Sequence, residues 1–324
     1  MKPSLFMKFK TTFFALILLL GYSSSAQINI GSEKYTTSRT GNGELKAPDF
    51  KKIKRTTLVI FYGDSDSIHL EGFKEAIKSW TFCPIILDDI ANLESYDRKR
   101  GFSFASLDIQ TVTKVHPNLG TKTESDIKVF LNFWIKKGKE QKTFARLDLF
   151  TSHKDVEVLI KLKNRKEKID YLYSTATAYN WSPGFLKLYL TFMSDKLSKG
   201  MGFPHKEDYE DPELLADLSS NILFYPDYIL TTKDELSKEL TDQTEEDLFE
   251  KYPFEKELML TEDLDNLLLD PEAGGDYVLL YVQCGDDKYY SVYNSNGSLL
   301  FQKYEVNSYN LDKGDLKKIA KEVD

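Results

Sequence analysis

The sequence predicts an α+β protein of two related units, each a mostly antiparallel or mixed sheet with helices packed on one face. Three observations carry that expectation. Removing a 26-residue export signal leaves 298 of the 324 residues, enough for two cores of ordinary size. Some segments alternate with the two-residue period of strands, and others repeat at the three- and four-residue spacing of helices. Finally, the order strand, helix, strand, short helix, strand recurs along the chain. Residues 221–225 echo 57–62, 247–254 echo 75–82, 264–267 echo 90–93, and 277–282 echo 102–107. These echoes predict a diverged internal duplication, with units over residues 56–200 and 201–324.

The chain opens with Lys2, Lys8 and Lys10, an unbroken apolar run over 13–20, and the small residues Ser24, Ser25 and Ala26. This is the order of a secretory signal, cut after Ala26 to leave Gln27 first. The apolar run is about half the ~20 residues that a spanning helix needs. No Cys follows it to accept a lipid. Residues 27–55 carry seven Lys or Arg among Ser, Thr and Gly without a sustained period, and are expected to be a polar flexible leader.

Order is expected from Thr56. Residues 57–62 are short, branched and aromatic and stop at Gly63-Asp64, as a buried strand would. Phe73, Ile77 and Trp80 then mark a helix, 84–87 a second strand and 102–112 a third. Ile127, Val129, Leu131, Phe133 and Ile135 share one strand face, and Phe130 and Trp134 make the other face apolar too. Residues 144–150 and 156–162 are expected to continue the meander, with turns at 136–139 and 163–166 and a short strand at 171–173. Ser182-Pro183 reads as cap and first turn of a long helix that stops at Gly200. Asn294-Ser-Asn-Gly297 predicts a hairpin, and Asp315 is expected to cap a last helix carrying Leu316, Ile319 and Val323.

The net charge of −8 becomes −11 once the three signal lysines are gone. Residues 206–270 hold 21 acids against five Lys. An acidic balance argues against nucleic acid as partner and against anionic lipid. No second apolar run reaches membrane length, so no stable membrane insertion is expected after signal cleavage. Cys83 and Cys284 sit 201 positions apart. They would form a bridge between the units only if their Cα atoms come within ~7 Å, and are otherwise two buried thiols.

Gly63-Asp64-Ser65-Asp66-Ser67, directly after a buried strand, is the sharpest motif. It resembles hydrolases of the GDSL/SGNH type, a likeness that implies Ser65 as nucleophile. That family also carries a Gly-x-Asn-Asp block and a late Asp-x-x-His. Here the only Asp-x-x-His is 66–69, three residues from the Ser, and a hydroxyl without a base is a weak nucleophile. The turn also resembles haloacid-dehalogenase-type phosphatases, which would make Asp64 the nucleophile and Asp66 the acid/base. Ile68 stands where those enzymes have Thr or Val, and Gly285-Asp286-Asp287 could imitate their late metal-binding acid. A plain polar turn is the commoner use of such residues.

His69, His116, His153 and His205 show no metal-pair spacing, and no phosphate-binding Gly-rich loop or calcium loop is present, so no cofactor or metal is expected. Tyr209, Tyr225, Tyr228 and Tyr252 among acids suggest a sugar or peptide groove, or surface residues covering a sheet edge.

As a whole the chain resembles exported, signal-bearing proteins of Bacteroidota, in the signal ending at Ala26-Gln27, in Lys251-Tyr-Pro-Phe254 and in Tyr289-Tyr-Ser-Val292. The resemblance implies no activity. The expected function is a non-catalytic binding or structural role, periplasmic or secreted, toward an envelope or extracellular partner. The alternatives are a hydrolase centred on Asp64, Ser65 and Asp66, and an acidic cation-dependent binding module.

Overall fold

In the computed structural model of the chain the described residues are 27–31, 45–115, 122–138, 140–203, 208–234, 239–270, 272, 276–285, 287–306 and 308–323. The expected signal, residues 1–26, lies outside them, as do His116, His205 and Asp286.

Two six-stranded mixed sheets organise the described chain. The first contains β1 (Ile28–Ile30), β2 (Thr57–Tyr62), β3 (Ile85–Asp89), β4 (Phe102–Val115), β5 (Lys122–Lys137) and β6 (Glu140–Leu149), in the order β1-β6-β5-β4-β2-β3. β2 runs parallel to β3 and β4, and the remaining neighbours are antiparallel. The second contains β7 (Tyr209–Glu210), β8 (Leu223–Pro226), β11 (Lys256–Met259), β12 (Tyr277–Cys284), β13 (Asp287–Asn294) and β14 (Leu299–Val306), in the order β11-β8-β12-β13-β14-β7. Here β8 runs parallel to β11 and β12, and the rest are antiparallel. Strand order and sense therefore correspond between the sheets, position for position. The small hairpin of β9 (Thr231–Lys233) and β10 (Leu240–Asp242) has no counterpart among the described residues of the first unit.

The intervening helices correspond as well. α1 (Ala47–Ile53) stands between β1 and β2, as α6 (Pro212–Asp217) stands between β7 and β8. α2 (Leu70–Ala76) leads to β3 as α7 (Glu245–Leu248) leads to β11, and the 310 segment Ile90–Tyr96 takes the place of α8 (Thr261–Leu269). α5 (Pro183–Ser198), buried along most of its surface, packs against α2 and β1 of the first unit and α8 of the second. The last helix is α9 (Lys313–Val323).

Three segments differ from expectation. The leader is not uniformly flexible: Ile28–Ile30 pairs with residues 145–147 of β6 and is fully buried, and α1 buries Phe50 and Ile53 one turn apart among its lysines. Residues 32–44 lie outside the described part. Residues 156–162 and 171–173 are helical, within α3 (His153–Lys161) and α4 (Arg165–Ser174). In each, a side chain at the N-cap overrides the local alternation. Ser152 accepts from the Asp155 amide, and Asn164 accepts from the Glu167 amide.

The core is continuous across both units. Tyr289 donates to Asp148 at 2.9 Å, Lys128 pairs with Asp287, and Phe150 meets Tyr228 and Tyr281 edge-on. On its other face the first sheet buries a second cluster, Val59, Phe61, Phe104 and Trp134 under Tyr96 and Tyr173. That face was legible in the alternating Phe130 and Trp134. No helix among the described residues is long and apolar enough to cross a membrane.

Candidate functional site

The Gly63-to-Ser67 motif forms a 310-helical turn (Asp64–His69) that joins β2 to α2. Gly63 has an extended backbone, so its φ does not demand glycine; close approach does. A Cβ there would lie 2.2 Å from the Tyr173 carbonyl oxygen of α4. The polar groups of the turn hold this approach. Ser65 Oγ donates to the same Tyr173 carbonyl at 3.1 Å. Asp66, only 7% exposed, accepts the Gly63 amide on Oδ2 at 3.0 Å and the Trp181 indole on Oδ1 at 2.9 Å. Burial raises its pKa above the usual carboxylate value, against the Gly63 amide, the Trp181 indole and nearby His69. Asp64 is exposed, and its carbonyl accepts from Ser67 Oγ.

This arrangement does not assemble a hydrolytic dyad. A nucleophile needs its hydroxyl hydrogen-bonded to a base, and the Ser65 hydroxyl bonds the Tyr173 carbonyl instead. Ser65 and Asp66 line a cavity of about 30 Å³ with Leu107, Thr151 and Trp181. Gly285 of the late Gly-Asp-Asp lines a different cavity from Asp66. Asp287 of that segment pairs with Lys128 and accepts from Tyr304 at 2.7 Å. Among the described residues no three His, Cys, Asp or Glu side chains converge to hold a metal ion.

The other candidates are also placed. Cys83 and Cys284 are separate buried free thiols, so they form no bridge. The Trp80 indole donates to Cys83, and Cys284 points to the Val129 carbonyl at 3.7 Å. Tyr225, Tyr228 and Tyr252 belong to the core. Tyr209 alone of that set opens onto a surface groove, of about 340 Å³, between α5, β7 and the β13–β14 turn. Asp315 is not the cap of α9: Asp312 accepts the amides of Gly314 and Asp315, while Asp315 pairs with buried Lys288.

Two chemically notable groups were not singled out as site residues by the sequence. The first is Asp265 of α8, which reaches across the unit boundary to the start of α5. Its Oδ1 accepts from Ser182 Oγ at 2.5 Å and the Gly184 amide at 2.8 Å, so Ser182 donates away from the helix that it was expected to cap. Burial pushes the Asp265 carboxyl up to about 6, against the opposing pull of Ser182, Gly184 and His69. An acid on the buried stripe of an amphipathic helix was the available signal. The second is His153 at the start of α3. Lys233 Nζ lies 3.3 Å from its Nδ1, and an ammonium can only donate, so the ring is neutral with its proton on Nε2. Burial and then the Lys233 charge push it down to about 4.

Comparison with protein families, curated proteins and solved structures returns no match.

Proposed function

We propose that the chain is a non-catalytic exported protein with a binding or structural role in the cell envelope or outside the cell, and that its two units descend from one duplicated ancestor. The observation that supports the first part is the employment of the Gly63–Ser67 turn. The Ser65 hydroxyl and both Asp66 oxygens are occupied by Tyr173, Trp181 and Gly63, so the turn clips α4 and the segment before α5 onto β2. The matching order and sense of the strands support the second part.

The groove beside Tyr209 is the surface for a partner. Phe192, Tyr209 and Leu299 supply apolar lining, and Asp195, Lys196, Lys199 and Asp211 supply both charges. Lys196 Nζ lies 5.2 Å from the Phe192 ring centroid and 5.1 Å from that of Tyr209, over faces that a sugar would need for stacking. A mixed-charge polypeptide segment fits this lining better than a glycan.

The test has two arms. In the first, the mature chain and its Ser65→Ala variant are assayed on a p-nitrophenyl ester and a p-nitrophenyl phosphate. Equal, background rates are expected; turnover abolished by the substitution would reinstate the hydrolase reading. In the second, a photo-crosslinking residue replaces Leu214 in the native host. A recurrent protein adduct is expected, diminished by Lys199→Glu. Adducts that ignore the Lys199 charge would remove the groove from the proposal.

A further inference from the structure

A partly open cavity of about 40 Å³ lies at the seam between the units. Its wall comes from both: Thr151, His153 and Asp126 from the first, Lys233, Cys284 and Gly285 from the second. We propose that this cavity is a binding site for one small carboxylate, of formate or acetate size.

The donors converge from independent elements. α3 has nine residues, and its N-terminus opens at His153. Ser152 Oγ accepts the Asp155 amide and Ser152 O accepts the Val156 amide, while the amides of His153 and Lys154 have no partner among the described residues. Lys233 Nζ reaches the same corner beside His153 Nδ1. The decisive group is Thr151: it is 5% exposed, and its Oγ1 has no hydrogen-bond partner. A buried hydroxyl left unmatched is costly, and one lining a cavity marks a place for a polar guest. Thr151 and Leu149 also border the neighbouring cavity at Ser65 and Asp66, so the hydroxyl stands between the two spaces.

Size and charge select the guest. At roughly 10–15 Å³ per water position, the space holds about three such positions, the extent of a formate or acetate. Asp126 is the carboxylate in the wall, and its Oδ1 accepts the Ile127 amide. The Asp155 carboxylate accepts from Tyr171, Ser152 and Thr177. Lys233 and the helix N-terminus therefore supply the positive potential. Gln283 is committed too, accepting from Tyr281 and donating to the Gly285 carbonyl, and adds no free donor. The depressed basicity of His153 agrees with a corner that is already cationic.

The test uses the whole mature chain, with sodium acetate, sodium formate and sodium chloride compared at constant ionic strength. The melting temperature should rise saturably with acetate or formate and not with chloride. Lys233→Met, on a surface hairpin, should weaken the midpoint about tenfold, the loss of one charge-assisted bond. Thr151→Val gives the sharper readout. It removes the orphan hydroxyl, so it should leave the acetate-free protein as stable or more so, while reducing the acetate-dependent rise. Bound acetate should also raise the titration midpoint of the His153 ring, followed by NMR. A chloride effect equal to that of acetate, or an acetate effect unchanged in Lys233→Met, would overturn the assignment.

Discussion

Gly63 has no room for a side chain, because its Cα faces the Tyr173 carbonyl across the gap that Ser65 bridges. Gly63→Ala must push α4 away from β2, and overpacking of this kind costs about 1–3 kcal/mol. Urea unfolding should show that loss, whereas Ser65→Ala should cost about 1 kcal/mol, one hydrogen bond. A loss from Gly63→Ala no greater than that from Ser65→Ala would show that the contact is loose. Asp265 makes a prediction about pH. Its folded value of about 6 stands above the 3.8 of the free group. Between these values the folded state binds the proton more tightly, so this group's contribution is fully present below about pH 4. It is lost as the pH rises toward 6. Asp265→Asn retains an acceptor for Ser182 and Gly184. The difference in unfolding free energy between parent and variant should change across pH 4 to 6, by about 1 kcal/mol per pH unit, in the variant's favour. A difference independent of pH would place the Asp265 carboxyl near its ordinary value. The motif at 63–67 was legible as a turn after a buried strand, while its employment was not, because Tyr173 and Trp181 stand more than 100 positions away.

Among the elements, the strands were the more legible. β2, β3, β4, β5 and the β13–β14 hairpin all follow their alternation or apolar runs, and Gly297 takes the left-handed φ of 84° that the Asn-Gly signal requires. α3 and α4 were misread because Val156-Glu-Val-Leu-Ile-Lys-Leu162 carries a period compatible with either state, and short apolar runs do not settle it. The deciding information was Ser152 three residues before Asp155 and Asn164 three before Glu167, a helix-start pattern masked by the neighbouring lysines. Asn164→Ala should therefore destabilise by about 1 kcal/mol, with Asn164→Asp close to neutral. Chemical denaturation of both variants checks this, and a neutral Ala would show that packing of Leu172 and Tyr173 alone holds α4. α1 was overlooked for a similar reason: Phe50 and Ile53 are two apolar residues in a stretch of five basic ones.

At the scale of the molecule, the two units are alike in topology but are not separable bodies. α5 belongs to both, capped by Asp265 of α8 and packed through Tyr189 against Tyr293. One continuous core predicts one unfolding transition. Far-ultraviolet circular dichroism and tryptophan fluorescence, which reports only on the first unit through Trp80, Trp134 and Trp181, should give coincident curves in guanidinium. Two separated midpoints would show that α5 does not couple the units. Within each unit, the strand that comes first in sequence closes the far edge of the sheet: Ile28–Ile30 must wait for residues 145–147, and Tyr209–Glu210 for residues 301 and 302. The first sheet is thus finished by a strand that precedes all its other strands in the chain. The free edge of β6 stays open until that strand swings back across more than a hundred positions, and loop closure on that scale is slow. Under the proposed export, such a delay would favour a chain that must stay unfolded while it is threaded through a translocation channel.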